Sequence, residues 1–228
     1  MSRSPYGRIG VFGSICNPPH IGHLLLCSEA AWQLGLDRVV IVPTGNPPHR
    51  DPPRETPEAR CRLALALASC DPSLTVSRTE VDRLGPSYMV DTLRELQLRH
   101  AGHELVLLLG ADQLATLGRW HDAQLIPQLA RIAVAPRPGV ELQGLDRAHV
   151  ERVEMPLVGV SSSTIRTRVA RGDPIRHLVP DAVRLVIETE GLYAGAAPEP
   201  EARGGPPAPM GPAGMLAWDE PSSPETSR

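Results

Sequence analysis

Residues 10–26 read GVFGSICNPPHIGHLLL, and the order of residue types in them points to a strand, a tight turn and a helix. The run RIGVFG, beginning at Arg8, is a short apolar stretch of strand length. Gly13 and Ser14 close it, and Gly13 lets the backbone turn tightly. Pro18 and Pro19 stiffen the approach to a segment, IGHLLLCSEAAWQLG, whose apolar spacing suits a helix stopped by Gly35. His20 and His23 then fall in or near the first helical turn, where unpaired N–H groups and the helix dipole favour an anion. Three residues apart, the two imidazoles share one side of the helix. Gly22 between them leaves room for a ligand against the backbone. A polyphosphate suits this arrangement, and a transition state gathering negative charge suits it better. Two plainer readings compete: ordinary surface histidines, and a zinc site recruiting Cys16, which lacks a fourth ligand and any paired Cys spacing.

Outward from this stretch, apolar runs alternate with helical patterns. DRVVIVPTG reads as a strand cut by Pro43. TPEARCRLALALASC reads as a helix with Thr56 at its N-cap and Pro57 in first position. LTVS, ELVLLLGAD and ARIAVAPRPG are further strands, and a helical stretch follows the second of these. SYMVDTLRELQLRHAG is a helix with Ser87 near its cap and Gly102 beyond its end. SSSTIRTRVARG and DAVRLVIETEGLY are the last two helices. The strand runs are continuously apolar rather than alternating, which suits strands buried on both faces. The expectation is an α/β fold: a Rossmann-like, doubly wound parallel sheet with helices on both faces and right-handed crossovers. Residues 8–193 make one domain, after a flexible N-terminus over 1–7. Residues 194–228, dense in Pro, Gly, Ala and Ser, read as a disordered tail that cannot bury enough surface to offset its ordering entropy.

Composition narrows the function classes. A formal charge of −3 over 228 residues gives no basic field for nucleic acid. No apolar run is long enough to cross a bilayer, and the N-terminus lacks the apolar core of a secretory signal. Four cysteines, at 16, 27, 61 and 70, form no C-x-x-C pair and suit a reducing cytoplasm. A homo-oligomer is compatible with the sequence.

Parallel sheets bind ligands beyond the carboxyl ends of their strands, near the point where strand order reverses. The loops there hold the unusual residues. In GVSSSTIRTR, hydroxyls from Ser161, Ser162 and Ser163, the N–H groups of a helix start, and Arg166 converge on one spot. Capping needs only one serine, so three of them with an arginine favour a ligand site. Asn46, His49 and Arg50 in PTGNPPHR form a third polar loop. Neither a phosphate-binding G-x-x-x-x-G-K-[ST] loop nor a G-x-G-x-x-G fingerprint occurs.

Taken in order, HIGH at 20–23, PTGNPPHR at 43–50, SYMVDTL at 87–93, GADQL at 110–114, RWH at 119–121, VAPRPG at 134–139 and SSSTIR at 161–166 make the chain resemble the bacterial nicotinate-nucleotide adenylyltransferases of the H-x-G-H superfamily. The resemblance runs from about Arg8 to Tyr193. It implies that ATP and nicotinate mononucleotide give deamido-NAD and pyrophosphate, with Mg2+ accompanying ATP and no covalent enzyme intermediate. By the same resemblance His20, His23 and Arg166 are the catalytic contacts to the phosphates. Gly13, Ser14, Gly22, Ser162 and Ser163 hold ATP, with Arg137 beside the adenine. Asn46, His49, Tyr88, Met89, Asp112, Trp120 and His121 form the pyridine-nucleotide side, Trp120 stacking on the ring and Asp112 toward the ribose. Main-chain N–H groups near Met89, Val90 and His121 would receive the carboxylate. For Trp120 the plain alternative is a core tryptophan, for Asp112 a helix cap, for Tyr88 packing.

Four positions depart from the family pattern. Cys16 and Asn17 stand where it has an aromatic and an aspartate, and Met89 stands where it has threonine. Arg50 replaces the common lysine. The competing functions are therefore an H-x-G-H enzyme acting on nicotinamide mononucleotide or phosphopantetheine, and a non-catalytic nucleotide-binding relative.

Overall fold

The computed structural model describes residues 7–48, 51–136 and 150–195. His49, Arg50, Arg137 and nearly all of the expected tail lie outside them. Six strands form one sheet: β1 (Arg8–Ser14), β2 (Arg38–Pro43), β3 (Leu74–Val76), β4 (Glu104–Gly110), β5 (Arg131–Ala135) and β6 (Val150–Arg152). Their spatial order is β3-β2-β1-β4-β5-β6, and every neighbouring pair is parallel. The chain runs outward from β1 through β2 to β3, then crosses back to lay β4 on the other side of β1. The reversal point therefore lies between the ends of β1 and β4, where Rossmann-like folds place their ligands.

The central strands are apolar on both faces because helices cover both. In β4, Leu105, Leu107 and Leu109 belong to one buried cluster and Val106 and Leu108 to the other. The first cluster includes Leu93 and Leu96 of α4 (Met89–Arg99). The second packs the sheet against α1 (Ile21–Gln33), α2 (Pro57–Ala68), α7 (Ser162–Arg171) and α8 (Asp181–Thr189). Period-2 alternation with apolar residues at both phases is what the unbroken sequence runs record.

Helix starts follow local chemistry. Thr56 Oγ1 accepts the Ala59 N–H at 3.2 Å, and Pro57 sits in first position, as the sequence predicts. Gly172 ends α7 in a left-handed conformation, φ 77°, which glycine adopts without a Cβ clash. Some elements differ from expectation. A one-turn helix, α3 (Thr79–Asp82), and the edge strand β6 have no counterpart in the sequence pattern. The stretch after β4 breaks into α5 (Ala111–Leu114), two 3-10 turns and α6 (Ile126–Leu129), because Pro127 and Gly118 interrupt it. Ser87 does not cap α4. Tyr88 is the capping residue and makes no side-chain bond there, while the Ser87 hydroxyl accepts the Asn46 N–H at 3.0 Å.

Candidate active site

A cleft of about 550 Å3 opens beyond the ends of β1, β4 and β5. Its walls include Gly13, Ser14, His20, Gly22, His23, Asp112, Ser162 and Arg166, eight of the residues singled out in the sequence. The arrangement of the two histidines explains much of the motif. His20 is the N-cap of α1, and its Nδ1 accepts the Gly22 N–H at 3.2 Å. His23 Nδ1 accepts the His20 N–H at 3.2 Å in return. This is a capping box built from imidazoles instead of Ser/Thr and Glu. The rings stack with centroids 3.8 Å apart. An acceptor role at both Nδ1 atoms leaves the ring proton on Nε2, the other edge of each ring, which can donate to an anion. Gly22 lets the His20 ring lie close: a Cβ there would lie 3.1 Å from two atoms of that ring and would press it aside by a few tenths of an ångström.

The N-terminus of α7 closes on the same loop. Ser161 Oγ caps the helix by accepting the Thr164 N–H at 3.2 Å and shares a 2.9 Å bond with the Ser163 hydroxyl. Ser162 Oγ donates to Pro18 O at 2.8 Å, and Arg166 donates to Asn17 O at 2.5 Å. Both side chains thus brace the backbone leading to His20. Asn17, a family departure, also has a defined partner: its Oδ1 accepts the Tyr193 hydroxyl at 2.9 Å. Burial pushes the Tyr193 phenol well above its ordinary range. Burial likewise pushes the Cys16 thiol up to about 12, so Cys16 is a neutral packing group here and a poor metal ligand.

Of the described residues expected on the pyridine side only Asp112 is in the wall of this cleft; Asn46, Tyr88, Met89, Trp120 and His121 are not among its lining residues. Tyr88 and His121 stack with centroids 4.1 Å apart. Trp120 is half-buried against the α4-side core, between the core tryptophan and the exposed stacking surface that the sequence allowed. Met89 reaches the end of β1, since a Cβ on Gly13 would fall 2.4 Å from Met89 Cε. Asn46 is exposed and tied twice to Ser87, donating to its hydroxyl and accepting its N–H at 2.8 Å. Asp112 lines the cleft at the start of α5.

Sequence reasoning missed two contributors. Residues 51–55 form a further wall of the cleft. Arg60 is 1% exposed, and its guanidinium donates to four main-chain carbonyls. A signal for Arg60 was present: it heads the apolar stripe Leu63, Ala64, Leu67 on the buried face of α2. Among the described residues no three His, Cys, Asp or Glu side chains group as a metal site, and no helix is long and apolar enough to cross a membrane.

Known proteins are similar to this chain. Residues 11–168 match the cytidylyltransferase-like family model. A protein of Exiguobacterium sibiricum named probable nicotinate-nucleotide adenylyltransferase is 41% identical over 187 residues, covering 82% of this chain and 99% of its own length. One of the same name from Thermus thermophilus is 42% identical over 186 residues, with 82% and 99% covered. The nicotinic acid mononucleotide adenylyltransferase of Plasmodium falciparum, solved in complex with NaAD, superposes with a TM-score of 0.68 at 12% identity, covering 82% of this chain and 98% of that one. This last likeness concerns the fold alone. The extent and level of identity to the curated relatives carry the assignment: the chain belongs to the nicotinate-nucleotide adenylyltransferases, a family of nucleotidyltransferases.

Proposed function

We propose that this cleft transfers the adenylyl group of ATP to nicotinate mononucleotide, forming deamido-NAD and pyrophosphate in NAD biosynthesis. The observation that carries the proposal is the paired imidazole cap of α1, which sets two histidines and a helix N-terminus in the wall of one cleft. In this reading a phosphate oxygen of the mononucleotide attacks the α-phosphorus of ATP. The new O–P bond forms as the bond from the α-phosphorus to the bridging oxygen breaks, and that oxygen leaves with pyrophosphate. No enzyme nucleophile is needed, so catalysis rests on placement and on charge stabilisation. His20 and His23 donate from Nε2 to the phosphates, His23 chiefly in the transition state. Arg166 and the N-terminus of α7 hold the triphosphate, with Gly13, Ser14, Gly22, Ser162 and Ser163 shaping the cradle. Arg137 and His49 lie outside the described residues; in this reading Arg137 is beside the adenine and His49 on the pyridine-nucleotide side.

Magnesium enters as MgATP. Oxygen donors in the cleft, Ser14 and Asp112, suit a hard cation held mainly by substrate phosphates and water. It would neutralise phosphate charge there. On the acceptor side Tyr88, Met89, Trp120, His121, Asp112 and Asn46 receive the pyridine nucleotide. The start of α4 has no side-chain cap, so its first N–H groups are suited to a carboxylate, which accepts more strongly than a carboxamide. That favours the acid over the amide substrate. The buried free thiols Cys16, Cys27 and Cys61 are consistent with work in the cytoplasm. Pyrophosphate release from MgATP with each mononucleotide tests the proposal. Release with nicotinate mononucleotide well above that with the amide supports it, and release with neither rejects it.

A further inference from the structure

Arg60 is an arginine buried to 1% exposure, and its contacts say why it is there. Its Nε donates to Glu55 O at 3.3 Å, one terminal nitrogen to Ile15 O at 3.0 Å and to Thr44 O, the other to Gly45 O at 2.9 Å. Ile15 follows β1 and leads into the phosphate loop. Thr44 and Gly45 follow β2, and Glu55 precedes α2. Arg60 forms no ion pair with a carboxylate among the described residues. A buried cation without one carries a desolvation cost that the four carbonyls offset. Only a guanidinium has enough donors, in a fixed planar fork, to hold three segments at once.

The loop it grips is also held from the other side. A Cβ on Gly45 would lie 2.0 Å from Glu80 O, so the chain passes there with no space to shift. Asn46 exchanges two hydrogen bonds with Ser87, the residue before Tyr88 and Met89. One continuous path thus runs from the phosphate loop through Arg60 and residues 44–46 to the start of α4.

We propose that Arg60 is a positioning residue that sets the separation between the ATP side and the mononucleotide side of the cleft. It touches neither substrate. The role rests on the adenylyl-transfer reading, because a reaction that depends on placing two substrates is the one such a tie would serve.

Arg60→Lys keeps the charge but replaces the fork with a single ammonium. Turnover and both KM values would be compared with wild type and with Leu105→Val, a core change at the far end of β4 that supplies a stability-matched control. The expected result is a kcat lower by about tenfold to a hundredfold, since misplacement by 1 Å can cost a hundredfold, with each KM within about threefold. A kcat no lower than the control's overturns the role, as does a loss confined to KM. Where Arg60→Lys does not fold, Ser87→Ala decides. It removes one tie to the same loop, and a kcat lower by about threefold supports the role, whereas an unchanged kcat overturns it. Ratios are taken with whichever mononucleotide the wild type uses. A wild type inert with both rejects the proposed reaction and this role with it. An active wild type matched by an equally active Arg60→Lys rejects this role alone.

Discussion

Two helices begin in the cleft, and they are capped by different chemistry. Histidines cap α1 and serines cap α7. A serine hydroxyl carries one proton. In Ser162 it is already given to Pro18 O, and Ser161 shares its hydroxyl among Ser163, Thr164 and the helix N–H. An imidazole has two nitrogens on opposite edges, so His20 and His23 can cap with Nδ1 and act with Nε2. The serine end builds the wall of the cleft, whereas the histidine end builds it and can also do chemistry. A capping motif made of imidazoles is thus a way to fix a ring's tautomer and angle with the backbone itself.

The sharpest way to break this contrast is His23→Asn. An amide oxygen can take the place of Nδ1 and keep the cap, but the far ring edge is lost. Turnover should fall by about 10²–10³, as when an oxyanion donor is removed, with little change in ATP affinity or melting temperature. Unchanged turnover, or a loss that follows stability, would show that His23 serves only the helix.

Gly22→Ala should act next most strongly. The new Cβ presses on the His20 ring and must move it by a few tenths of an ångström. Since 1 Å can cost about a hundredfold, kcat/KM for ATP should drop by roughly tenfold. Alanine favours the helix by up to about 1 kcal/mol over glycine, so stability should hold. Calorimetry beside steady-state assays would show whether activity and stability part company.

At the serine end the balance should invert. Ser162→Ala loses a half-buried brace and should cost about 1 kcal/mol in denaturant unfolding, with kcat/KM changed only about twofold to threefold. A large rise in the KM for ATP with no stability loss would instead put the hydroxyl on the triphosphate and erase the contrast.

The smallest effect calibrates both ends against a group that caps nothing. Burial raises the Glu80 carboxyl above its ordinary value, so the folded state keeps its proton to higher pH than the unfolded chain. That contribution to stability is complete below the unfolded value, near pH 4.5, and is lost as pH rises through the raised folded value. Glu80→Gln should therefore gain stability relative to wild type on going from pH 4.5 to 7. Parallel unfolding curves at the two pH values would refute it.

The sequence read well wherever pattern and chemistry coincide. Apolar runs marked five strands, Thr56-Pro57 marked a helix start to the residue, and H-x-G-H marked the cleft. It read poorly where an element is too short to show a period, as in Thr79–Asp82, or too polar, as in Val150–Arg152. Ser87 stands near the cap of α4 as expected, one residue before Tyr88, but pattern alone does not show that its hydroxyl has a partner 41 positions away. Arg60 and Arg62 look alike in EARCRL. Only helical phase separates the buried ligand of four carbonyls from the exposed partner of Glu190. Asn17 looked like a lost charge and proved to be half of a bond with Tyr193.

That last bond joins residues 176 positions apart, and it has a consequence for synthesis. A chain emerging from the ribosome shows its phosphate loop early, but Asn17 lacks its partner until Tyr193 has cleared the exit tunnel. The first loop to be made is therefore among the last to be finished, and nucleotide can reward folding only once the whole sheet and both closing helices are out.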